Sequence, residues 1–245
     1  MGGRGSNAQR GHGQIKTAAD MKDLQELSDY MWKTHRVYLA KSLAKANFDS
    51  VKAGAANIEK LLSEFPYLKT PSGPKNQAMI RELNGACRKR KAYAEASFDG
   101  KIQINASIFR DKSKLDASYA NDLKSHFHPN GTNSDGVIVH EAGHIIESAL
   151  IRKSGTPAAG YAWNHCTEAT RVINEACDAL RKTAAGKTIS GQPFTNDQLV
   201  SKISKYAKTD RSEALAECVA DYFQNGTKAN PLSVQVWNIL KRELK

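Results

Sequence analysis

The sequence contains no run of about 18 apolar residues, so no segment reads as a membrane-spanning helix. No apolar stretch follows the basic opening MGGRGSNAQRGHGQ, which excludes a classical secretory signal. Cysteine is sparse: Cys87, Cys166, Cys177 and Cys218 form no C-x-x-C pair. A chain of 245 residues can bury a full core without cross-links, so it reads as a reduced, disulfide-free protein made in the cytoplasm. Internal repeats and an inter-domain linker are also missing. The net charge is +11, but lysines and arginines are spread among acids, and the densest cluster is only RKRK at 88–91. That pattern argues against nucleic-acid recognition and for a solvated basic surface, with an acidic partner or substrate as the second reading.

Residues 1–16 are rich in Gly, Arg, Asn and Gln, a composition that cannot offset the entropy of ordering, and are expected to be a flexible tail. Residues 17–245 are expected to form a single domain. Met21, Leu24, Leu27, Met31, Val37, Leu39 and Leu43 recur at helical spacing over 17–46, predicting one or two amphipathic helices with a break near Thr34. A helix over 49–64 follows, with Asp49 or Ser50 as its cap and Pro66 beyond its end. Pro71, Ser72, Gly73 and Pro74 mark a loop. Residues 92–105, AYAEASFDGKIQIN, then alternate about Asp99-Gly100, a favoured two-residue turn, and predict a β-hairpin.

The loop HFHPNGTNSDG leads into a helix running to about Arg152, with Ser134 or Asp135 as its cap. After a loop of Gly155, Pro157 and Gly160, helices are expected over 164–184, 196–205, 212–224 and 231–244. The fold class is α+β, mostly helical, with one small sheet.

Chemistry concentrates in VIVHEAGHIIE, 137–147. Residues four apart on a helix stack one turn above the other, so His140 and His144 can aim at one point, with Glu141 beside them to take a proton from water. Val139, Ala142, Ile146, Ala149 and Leu150 give the helix an apolar face. Gly143 costs the helix roughly 1 kcal/mol against Ala, which a close approach by another backbone or by substrate would justify. Catalytic zinc takes three protein ligands, so a third donor is required. His165 stands without a surrounding motif. The helix SEALAECVADYF, 212–223, sets Glu213, Glu217 and Asp221 on one face, a row that is either a solvated surface or a ligand with its supporting acids.

HEAGH followed by Tyr206-x6-Glu213-x3-Glu217, within YAKTDRSEALAECVADYF, resembles the lethal-factor-like metallopeptidases, a branch of the gluzincins. The chain is also similar to the metallopeptidase-like domain of some phage minor head proteins, through its GGRGS opening, GKIQIN strand, FHPNGT loop and NGTKANPLSVQVWNILKREL ending. The likeness covers roughly 45–245 and implies a zincin-like domain over about 47–245, preceded by the helical segment 17–46. It implies that zinc (Zn2+) binds His140, His144 and Glu213, that Glu141 is the general base, and that Tyr206 presents its phenol to the oxyanion. Glu217 would orient a ligand histidine through its free ring nitrogen. On its own, Tyr206 also reads as a packing residue closing the helix 196–205.

The function implied is a zinc-dependent endopeptidase acting on a protein or peptide substrate, as a phage-encoded or toxin-type effector that is virion-associated or delivered by a non-classical route. The alternative is a phage head-associated structural or interaction protein that keeps the zinc-binding fold without proteolysis and binds a head or carrier protein. An extended substrate could lie along an edge of the hairpin 92–105, unless both strands are interior to the sheet.

Overall fold

The computed structural model describes residues 16–72, 75–89, 91–156 and 158–245. The expected tail, apart from Lys16, lies outside the described residues, as do Gly73, Pro74 and Pro157 of the expected loops and Arg90 of the basic run. The described chain is a mostly helical α+β structure around one four-stranded mixed sheet. No described helix is long and apolar enough to cross a membrane.

Helix α1 (Leu24–His35) starts at Asp23, whose side chain accepts the Glu26 N–H, and it buries Leu27 and Met31. It stops where Arg36 turns left-handed, φ 59. The helical reading of Val37, Leu39 and Leu43 is corrected here, since Tyr38–Leu39 is strand β1 and Lys41–Lys45 a 3-10 turn. Val37, Tyr38 and Leu39 alternate buried, exposed, buried, the period of a strand and not of a helix. The Tyr38 and Ala40 N–H groups donate to the carbonyls of Arg81 and Leu83. Helix α2 (Phe48–Glu64) is capped by Asn47, which accepts the Ser50 N–H, and not by Asp49 or Ser50.

Strands β2 (Glu82–Asn84), β3 (Ala94–Ala96) and β4 (Lys101–Ile104) complete the sheet in the order β1-β2-β4-β3. The first three of that order run parallel, and β3 is antiparallel to β4. The expected hairpin is therefore present, but its turn has three residues, Phe98 to Gly100, closed by the Ser97 N–H on the Lys101 carbonyl. Gly100 has φ +90, and a Cβ there would lie 2.0 Å from the Met79 carbonyl oxygen. Strand β4 is interior and β3 is an edge. Tyr93 and Ser97 spend their ladder bonds on β4, so by antiparallel alternation Ala94 and Ala96 direct their N–H and C=O groups outward.

Helix α3 (Lys112–Lys124), capped by Asp111, was not evident in the sequence because it buries only Leu115 and Tyr119 and has almost no apolar stripe. Asn133, not Ser134 or Asp135, caps the turn into helix α4 (Val137–Lys153), and the Ser134 hydroxyl is bonded to Asp116 instead. Fourteen of the 17 residues of α4 are buried, which makes it the central helix. The expected helix 164–184 is shorter, α6 (Thr167–Arg181), and Gly160 of the expected loop lies instead in a separate short helix, α5 (Ala159–Asn164), set off from α6 at Cys166, φ 50. Helices α7 (Asn196–Ser201), α8 (Arg211–Asn225) and α9 (Pro231–Glu243) follow. One apolar core joins Ala18, Met21 and Met31 of the N-terminal segment to Ile58, Ile146, Val219 and Leu240.

Gly100→Ala is expected to lose about 2 kcal/mol or more of stability, from the positive φ and the clash with Met79. A urea titration should show a lower midpoint at unchanged slope.

Candidate metal centre

His140 and His144, one turn apart on α4, face Glu213 in the first turn of α8. The Nε2 atoms of His140 and His144 lie 3.0 and 3.4 Å from Glu213 Oε2. One donor atom from each of the three residues falls within 4.8 Å of the others. Asp210 caps α8 by accepting the Glu213 N–H at 2.8 Å and so fixes the backbone from which that carboxylate projects. Gly143 lies between the two histidines, and a Cβ on it would stand 2.7 Å from the Cα of Ala216. The close approach that a glycine here called for is thus made by the backbone of α8.

The other ring nitrogens are also engaged. His144 Nδ1 is 2.9 Å from Ser212 Oγ, and the same hydroxyl donates to Glu147 Oε2 at 2.5 Å. Glu147 is fully buried, and burial raises its carboxyl pKa against the opposing pull of Ser212 and His144. His140 Nδ1 is 2.9 Å from Glu217 Oε1, but the carboxylate stands off the N–H axis, so this contact is an ion-pair approach and not an aligned hydrogen bond. Glu217 accepts the Ser204 hydroxyl at 2.8 Å and lies 3.3 Å from His128 Nδ1. Burial would raise its pKa, but His128 and His140 outweigh it and bring the group down to about 2.

Tyr206 opens a 3-10 turn beyond α7, and its hydroxyl donates to Glu213 Oε1 at 2.9 Å. Its ring stacks on His140, with centroids 5.6 Å apart, and on Phe127 at 5.0 Å. Burial and the Glu213 charge raise the phenol far above its ordinary pKa, so it stays a proton donor. Glu141 is buried at one wall of a cavity of about 430 Å³ shared with His140, Tyr206, His128, Tyr119 and Lys91. Burial raises its pKa too, opposed by the charges of His140 and His144.

Six residues singled out in the sequence, His140, Glu141, His144, Tyr206, Glu213 and Glu217, thus come together. His165 does not: it stacks on Tyr161 at the end of α5, with Nδ1 2.9 Å from the Tyr161 carbonyl. Asp221 is buried away from the histidines and ties α8 to α9 by accepting from the Asn230 N–H and the Ser233 hydroxyl. Four further participants were missed: Glu147, Ser212, Ser204 and His128. Glu147 left a signal, a carboxylate set among Ile145, Ile146, Ala149 and Leu150 where charge is seldom placed. Two serines on neighbouring segments leave none. No family model matches the chain, and neither a curated protein nor a solved structure matches it.

Gly143→Ala should cost about 1–3 kcal/mol by overpacking the seam between α4 and α8. Adding Ala216→Gly should restore only part of the loss in a denaturant titration, because the nearest clash is with the Ala216 Cα.

Proposed function

We propose that this chain is a zinc-dependent endopeptidase of the gluzincin class, built on a zincin-like, lethal-factor-like domain. The observation that carries the reading is the convergence of His140 Nε2, His144 Nε2 and Glu213 Oε2 beside Glu141 and Tyr206. Two imidazole nitrogens and a carboxylate oxygen are donors that zinc takes. Tetrahedral bonds of about 2.0–2.1 Å set donor-to-donor edges of about 3.4 Å, to be compared with 3.0 and 3.4 Å here. The charge fits as well: Glu213 and Glu217 raise His140 well above its usual pKa in spite of burial that lowers it, so the pocket already favours a positive charge where a cation would sit. An ion held by His140, His144 and Glu213 would supply the Lewis acidity that polarises a carbonyl and eases ionisation of water.

Glu141 takes the proton of the attacking water and passes it to the leaving amine. Its raised pKa suits a group that must both accept and return a proton. Glu213 turns one oxygen to the histidines and the other to Tyr206, which parks the phenol one hydrogen bond from the reacting carbonyl's position. Transferred to the developing oxyanion, such a donor is typically worth about 3 kcal/mol. Ser212, backed by Glu147, holds the His144 ring, and Glu217, held by Ser204 and His128, approaches the His140 ring. An extended peptide has the outward N–H and C=O groups of Ala94 and Ala96 to pair with.

Elemental analysis should find one zinc per chain, lost in His144→Ala, and absence of zinc would sink the reading. Ser212→Ala should weaken zinc affinity by about 10–100-fold in a chelator competition. Glu141→Gln should keep the zinc and cut none of the library peptides that the unaltered chain cuts. Zinc held by a chain that cuts nothing would favour the alternative, a phage head-associated interaction module.

A further inference from the structure

We infer that Arg88, Lys89 and Lys91 form the acid-binding flank of the peptide cleft, so that the substrate is a peptide with carboxylate side chains beside the segment laid on β3. The inference rests on the endopeptidase reading and names its substrate class. In the sequence this run looked like solvated surface. In the fold it joins β2 to β3 and leads straight into the edge strand. Lys91 and Ala92 line the same cavity as His140, Glu141 and Tyr206.

All three side chains are exposed. Among the described residues, neither Arg88 nor Lys91 has an ion-pair partner, and Lys89 has only Glu95 at 3.8 Å, with 71% of the lysine side chain exposed. A pair so exposed is worth little and exchanges readily for another carboxylate. The other nearby acids are committed: Asp122 accepts the Tyr93 hydroxyl, and Glu141 and Glu217 are buried. An arriving chain therefore meets unbalanced positive charge at the end of β3, which steers an acidic segment and sets its register. Lys91 sits three positions before Ala94, in the turn closed by the Ala92 N–H on the Lys89 carbonyl, so it lies no more than about 10 Å from Ala94 along the chain. The recognised acid then lies within about three residues of the one opposite Ala94. A nucleic acid fits less well, because it has no amide ladder to pair with the strand edge.

The test uses zinc-loaded Glu141→Gln chain and fluorescence anisotropy of three labelled peptides that differ only in carrying Glu, Gln or Lys at the flank, with a single-stranded oligonucleotide as competitor. The Glu peptide should bind most tightly. The triple variant Arg88→Ala, Lys89→Ala, Lys91→Ala, with its melting temperature checked, should weaken it by about tenfold. The Gln peptide should lose much less, and added salt should reproduce the loss. Equal affinity for Glu and Gln peptides, equal losses for both, no binding of any peptide, or displacement by the oligonucleotide at lower concentration than by the Glu peptide would each overturn the inference. Charge-selective binding without cleavage by the unaltered chain would sink the endopeptidase reading alone. Cleavage indifferent to flank charge would sink this inference alone.

Discussion

A Cβ on Gly143 would lie 2.7 Å from the Cα of Ala216, so α4 and α8 approach to a separation that only glycine permits on the α4 side. Every group of the candidate centre is measured from that seam. His140 and His144 flank Gly143 on one helix, while Ser212, Glu213 and Glu217 flank Ala216 on the other. An ångström of extra spacing would carry Glu213 away from both imidazoles at once, because a helix moves as a unit. The seam also explains how α4 can be buried on nearly all sides while carrying two histidines and two glutamates: His140, His144 and Glu147 each meet a polar side chain of α8.

Four buried or partly buried carboxylates on two packed helices would be intolerable if all were alike. They are not alike. Glu141 and Glu147 are pushed toward the protonated form by burial, whereas Glu213 and Glu217 are held ionised by histidines that outweigh it. Environment thus divides one chemical type into a pair whose pKa is raised and a pair whose pKa is lowered. The hydroxyls of Ser204 and Ser212 each bridge a glutamate to a second group, Ser204 joining Glu217 to the Ala207 N–H and Ser212 joining Glu147 to His144.

Local pattern made α2, α8, α9, the hairpin and HEAGH on its helix readable, because each has strong periodicity or a turn dipeptide. It failed where tertiary partners decide. Val37 and Leu39 satisfy a helical spacing and a strand alternation equally, and pairing with β2 selects the strand. Helix α3 is held by Asp111 and by packing of Leu115 and Tyr119, which no periodic stripe announces. The candidate centre divides in the same way. Residues spaced within one helix could be grouped from the sequence, and a resemblance joined Tyr206 and Glu213 to them. Ser212, Ser204 and His128 act through contacts between segments, and serine and histidine are too common on surfaces for their positions alone to speak.

Strand β3 has a consequence for the protein in concentrated solution. A sheet edge invites a second copy of the same edge, and proteins avoid this by covering or shortening it. At the far side of the sheet, α1 lies against β1 and the Ser28 hydroxyl reaches the Leu39 carbonyl. At β3 only two residues, Ala94 and Ala96, direct backbone groups outward, too few to join two folded chains that each carry +11. Brevity therefore does the guarding. A strand this short cannot seed a sheet that grows from copy to copy.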